Sequence, residues 1–163
     1  MESDPVDRIL EQWQQERPDL DASPMGIIGR MARLSKYLDR AIQETFSTFG
    51  LRSGEFDVLA TLRRSGQPYQ LSPTELFNTM MVSSGTMTHR IDRLEQAGLA
   101  ERIPDPSDRR GTLIRLTPKG FEVIEKAVEA HVANMHRLLG ELDKSEQETL
   151  AQVLRKFLAS FEA

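Results

Sequence analysis

Apolar residues recur at helical spacing along most of this chain and give way to strand-like runs only near residues 99–103 and 112–116. The pattern predicts a short helix over 6–16 that carries Trp13. Pro18 ends it, and an acidic linker leads to Ser23-Pro24, a pair suited to starting a second helix. That helix, over 27–49, carries Ile28, Met31, Leu34, Leu38 and Ile42 as one apolar stripe, and Gly50 closes it. Tail helices are predicted over 121–139 and 150–161, the last preceded by a capping box at Ser145 to Glu148. Long amphipathic helices at both ends need a cover for their stripes. A second copy of the chain is the simplest cover, and packing on each other is the alternative.

Between the arms, Ser72-Pro73-Thr74-Glu75 opens a helix: serine caps free N–H groups, proline suits the first position, and glutamate completes a capping box. Residues 78–82 make a turn, and Ser83 or Ser84 caps the next helix. There Met87, Ile91 and Leu94 form the inward stripe, leaving Gly85, Thr88, His89, Asp92 and Arg93 facing away. Gly98 stops the helix as a left-handed cap. The two strands bracket Asp105-Pro106-Ser107-Asp108-Arg109-Arg110-Gly111, and Thr117-Pro118 starts the following helix. A helix-turn-helix followed by a basic hairpin is a device for reading duplex DNA.

A chain of 163 residues with net charge −4 is one domain long and looks too acidic for that purpose. Divided along its length, residues 1–23 carry −5, 24–120 carry +4 and 121–163 carry −3. Phosphate attraction depends on local potential within a Debye length of about 8 to 10 Å, so acidic arms held away from the duplex leave a basic reader intact. No apolar run reaches the roughly 18 residues of a membrane span, and the acidic start lacks a signal peptide's apolar core. A cytoplasmic location without membrane partners is therefore expected. With no cysteine, disulfides, thiolate metal sites and thiol oxidation are excluded. No Ser/His/Asp grouping, carboxylate pair, phosphate-cradling loop or metal-ligand spacing is present, and His131 and His136 stand on a tail helix without such partners. An enzyme is not expected, nor a metal or cofactor.

The run 84–99, Ser-Gly-Thr-Met-Thr-His-Arg-Ile-Asp-Arg-Leu-Glu-Gln-Ala-Gly-Leu, is followed by Asp108-Arg109-Arg110 and Leu116-Thr117-Pro118-Lys119-Gly120. It resembles the recognition helix and wing of MarR-type transcription regulators. Residues 51–59 match that family's helix before the DNA-binding unit, and the resemblance covers nearly the whole chain. It implies a mainly α fold with a small β-hairpin wing: a winged helix-turn-helix with long N- and C-terminal dimerisation helices. The segments would be an N-terminal helix and linker (1–23), a dimerisation helix (24–50), the DNA-binding domain (51–117) and C-terminal dimerisation helices (118–163). The implied regulator binds a pseudo-palindromic operator in double-stranded DNA as a homodimer. Ser84, Thr88 and His89 would reach bases or phosphates, and Arg93 the backbone. Arg109 and Arg110 would enter the minor groove, with Asp108 orienting them by a salt bridge. A charged surface turn is the plainer reading of that tip, and a winged helix serving only protein contacts is the rival class.

Arg90 stands apart, because at about 100° per residue it lies some 60° from Met87, at the edge of the inward stripe. A cation there wants an anion, and Asp57, set among Phe56, Val58 and Leu59, is the best candidate. Trp13, Asp57, Arg90 and Arg102 resemble four positions that mark the urate-responsive, PecS-type branch of the family. That implies a small-molecule effector, a flat, weakly acidic heterocycle such as urate, held by an aromatic wall, a guanidinium fork and a carboxylate. A phenolic or other aromatic anion is the alternative effector. Each residue also has an ordinary role: Trp13 a packing anchor, Asp57 with Arg90 a structural ion pair, and Arg102 an exposed strand residue.

Overall fold

The computed structural model describes residues 3–80 and 87–162, so the expected turn end at Val82 and the caps Ser83 and Ser84 lie outside the described residues. The chain forms two compact units, residues 1–41 and 42–163.

In the first unit, α1 (Pro5–Glu16) starts where Asp4 accepts the N–H groups of Val6 and Asp7 and Asp7 reaches back to the Asp4 N–H. Val6 is buried beside Gly29 of α2 (Ser23–Ser47). Arg30 of α2 clasps both acids, with Nε 2.8 Å from Asp4 Oδ2 and Nη2 2.6 Å from Asp7 Oδ1. The Arg30 hydrogen bonds, with those of the Asp7 and Val6 N–H groups, hold the Asp4 carboxyl at about 2, below its usual 3.8. A depressed carboxyl pKa stabilises the fold above the unfolded value, and that stabilisation is lost as pH falls through the folded one. Release of α1 is therefore expected between about pH 4 and pH 2, read by the sole tryptophan, Trp13. Asp4→Asn should lack this acid transition; an unchanged titration would show that the clasp does not hold α1.

The second unit is built around α3 (Ser53–Arg64), whose Val58, Leu59 and Leu62 are fully buried. Against it pack Leu76 of α4 (Pro73–Thr79), Ile91 and Leu94 of α5 (Met87–Gln96), and Ile124 and Ala127 of α6 (Pro118–Leu138). Phe46, at the end of α2, stacks on Phe56 with ring centroids 4.0 Å apart, and His131 of α6 closes that cluster. Burial pushes the His131 pKa down.

The predicted punctuation is observed. Gly50 and Gly98 adopt φ of 71° and 69°, and Ser72 caps α4 with Glu75 completing the box. Strands β2 (Ala100–Pro104) and β3 (Thr112–Leu116) pair antiparallel, Arg102 opposite Ile114. A two-residue strand not expected from sequence, β1 (Gln70–Leu71), pairs with the other edge of β3, giving the order β1-β3-β2.

Two boundaries are corrected. Asn78 and Thr79, expected in the turn, are the last residues of α4. The last helix, α7 (Lys144–Ala159), starts at Asp143, whose carboxylate accepts the Glu146 N–H at 2.9 Å while Glu146 accepts the Asp143 N–H at 2.8 Å. This box precedes the expected Ser145 to Glu148 box by two residues, and it adds a carboxylate to the positive end of the helix dipole. Among the described residues, no helix is long and apolar enough to cross a membrane.

Candidate nucleic-acid interface and effector site

The reading head consists of α4, α5 and the β2–β3 wing. Burial of Ile91 and Leu94 turns Thr88 and His89 outward, where both are exposed; Ser84 lies outside the described residues. The wing turn is set by its acids acting on backbone. Asp105 accepts the N–H and hydroxyl of Ser107 at 2.8 and 2.7 Å, and these bonds lower its pKa. Asp108 accepts the Arg110 N–H at 2.9 Å. The expected salt bridge from Asp108 to the arginines is therefore corrected: a short side chain two residues back folds onto the nearest N–H. Gly111 closes the turn where a Cβ would stand 2.9 Å from that of Asp105. Arg109 and Arg110 project from this turn, exposed and without an ion pair among the described residues.

Arg93 does not simply face away. Its Nε donates to Oε1 of Glu55, a buried carboxylate on α3 that sequence reading missed. The only available sign was an acid in the first turn of a helix otherwise rich in core residues. Arg90 does look inward, as its angle required, but its partner is not Asp57. The guanidinium lies on Gly54, so closely that a Cβ there would meet Nε at 2.5 Å. The expected Asp57–Arg90 ion pair is thus absent among the described residues, because a residue without a side chain offers the arginine a seat one turn earlier. Asp57 shares that face of α3, three residues on. Its Oδ2 is buried without a hydrogen-bond partner among the described residues.

Arg102 sits elsewhere. Its Nη2 is 2.7 Å from Asp92 Oδ1, its Nη1 pairs with Glu95, and its N–H donates to Glu95 Oε1 at 2.9 Å. Asp92 and Glu95 lie about 200° and 140° around α5 from Arg90, so Arg90 and Arg102 occupy different flanks of the recognition helix. Arg102 also borders a cleft of about 560 Å³ walled by Pro73, Phe77, Met87, Ile91 and Thr112. Trp13 belongs to the first unit, on α1, and is 38% exposed.

A helix-turn-helix backed by a three-stranded sheet, with a free basic tip, defines a winged-helix DNA reader. The sequence profile of the MarR family matches residues 51–112. The chain is 46% identical over 149 residues to the HTH-type transcriptional regulator PecS of Dickeya dadantii, spanning 91% of this chain and 90% of that protein. It is 32% identical over 136 residues to the multiple antibiotic resistance protein MarR of Escherichia coli, covering 83% and 91%. Among solved structures, an E. coli MarR variant complexed with operator DNA superposes with TM-score 0.70 at 28% identity, over 90% of this chain and 97% of that one. A Streptomyces coelicolor MarR family regulator in complex with DNA gives 0.78 at 23% identity, over 88% and 91%, a likeness of fold. The chain belongs to the MarR family of DNA-binding transcriptional regulators.

Proposed function

We propose that the chain is a homodimeric repressor that binds a pseudo-palindromic operator and is released by urate or a related purine metabolite. The observation that carries the effector reading is Asp57 Oδ2, a buried acceptor without a partner among the described residues, on the α3 face that also seats Arg90. Leaving such an atom unpaired costs about 1–3 kcal/mol, which a ligand N–H would recover. Purine-type rings present N–H donors beside acidic oxygens, suited to a carboxylate and a guanidinium that share one face of α3. The dimer reading draws on α7, exposed from Glu148 to its end, with Leu150, Val153, Leu154, Phe157 and Leu158 at one helical spacing. A second copy of the chain would cover that stripe.

A second reading has its own observation. The Arg102 cleft combines apolar walls with one cation, which suits a phenolic or other aromatic anion competing with Asp92 and Glu95 for the guanidinium. Either ligand weakens DNA binding by disturbing the recognition helix, and by linkage DNA weakens the ligand by the same factor.

The test uses the duplex that the wild type selects from a randomised library, titrated with urate, hypoxanthine, xanthine and salicylate. Release by urate is expected, with Asp57→Asn raising the concentration needed about tenfold, the worth of one charge-assisted hydrogen bond. Release by salicylate alone, abolished in Arg102→Ala, transfers the effector to the cleft. If none of the four compounds releases DNA, both effector readings fail.

A further inference from the structure

Among the described residues, an ion pair ties the recognition helix to its supporting helix. Arg93 Nε donates to Glu55 Oε1 across 38 residues of sequence. The Glu55 side chain is 6% exposed and that of Arg93 37% exposed, so the acid is sealed while the base stands at the surface. The other oxygen, Oε2, accepts the Arg52 N–H at 2.9 Å, so the same carboxylate completes the start of α3. That turn of α3 is also bracketed from α2. Gln43 Oε1 accepts both the N–H and the hydroxyl of Ser53 at 3.0 Å, and its amide donates to the Leu51 carbonyl at 3.1 Å. Beside it, Gly54 seats the Arg90 guanidinium. Two arginines one helical turn apart on α5 thus rest on two consecutive residues of α3.

We propose that Glu55 is a positioning residue for sequence reading, fixing the seat of α5 on α3 through Arg93. A buried carboxylate holds its charge only with a partner, so the geometry that satisfies Glu55 also restricts where Arg93, and the helix bearing it, can lie. Base recognition requires the N-terminal part of that helix to enter the groove at one angle, whereas phosphate attraction tolerates many. Loosening the seat therefore costs discrimination more than it costs binding. The rival role for Arg93, a plain phosphate contact, predicts the opposite: freeing it from Glu55 would strengthen binding to every duplex alike and steepen the salt dependence.

Glu55→Gln separates these roles, because glutamine also serves at this capping position but carries no charge for Arg93. The readout is the ratio of affinities for the library-selected duplex and a random-sequence duplex, taken well below the melting temperature. The ratio is expected to fall about tenfold, equivalent to 1.4 kcal/mol of lost coupling. Arg93→Gln, made from the exposed side of the pair, is expected to lower it to the same extent. The double variant is expected to lose no more than either single one, since both remove the same contact. A ratio within twofold of wild type in either single variant overturns the proposal, as does a double variant whose losses multiply. Raised affinity for both duplexes in Glu55→Gln, with a salt slope steeper by about one, overturns it in favour of the phosphate contact.

Discussion

Gly120→Ala is expected to destabilise the protein by about 3 kcal/mol or more, the largest single stability effect anticipated in the chain. Gly120 lies in the first turn of α6, where a Cβ would stand 1.8 Å from the Leu99 carbonyl oxygen and 2.8 Å from its carbon. Both are backbone atoms, so no rotamer change relieves the overlap. The corner is held from several sides. Thr117 N–H donates to the Leu99 carbonyl at 3.2 Å, the Thr117 hydroxyl to Gly98 at 2.7 Å, and Lys119 Nζ to Ala97 at 2.8 Å. Admitting one methyl group would separate α6 from the turn joining α5 to β2 and open the core at Ile124. Urea unfolding should show a lower midpoint with an unchanged slope. A variant within about 0.5 kcal/mol of wild type, the range of ordinary surface substitutions, would show that the close approach is not structural.

Removing both wing arginines, Arg109→Ala with Arg110→Ala, should lower affinity for the selected duplex about a hundredfold and its salt slope by about two. Asp105 and Asp108 are engaged with backbone, so the two guanidiniums would have no ion pair to break on entering a groove. Each phosphate-lined contact releases about one counterion, which is why slope and affinity should fall together. Stability should be unchanged, because the tip is exposed. Unchanged affinity and slope would reduce the tip to a surface turn.

The features legible in sequence are those whose physics is local. Ser72 and Glu75 cap α4 within three residues, Gly98 supplies one left-handed conformation, and Met87, Ile91 and Leu94 recur at the helical period. Asp105 to Gly111 form a turn from their own short side chains. From these follow the winged helix and its basic tip, and so the kind of polymer the protein reads. The inward lean of Arg90 was legible for the same reason, since helix geometry sets a direction.

Direction does not choose a partner. A long guanidinium sweeps several ångströms around its Cα and takes whichever carboxylate or open seat the packing brings near. Arg90 settled on Gly54 rather than Asp57 because an absent side chain leaves room, which no periodicity records. Arg93 found Glu55 across 38 residues, and Arg102 was drawn to Asp92 and Glu95 once β2 lay beside α5. Strand β1, two residues long, exists only because the edge of β3 offers it hydrogen bonds. Local chemistry along the chain thus determined the elements and the class of function. The pairing of charges across the reading head was decided by tertiary packing alone, because it depends on which surfaces meet.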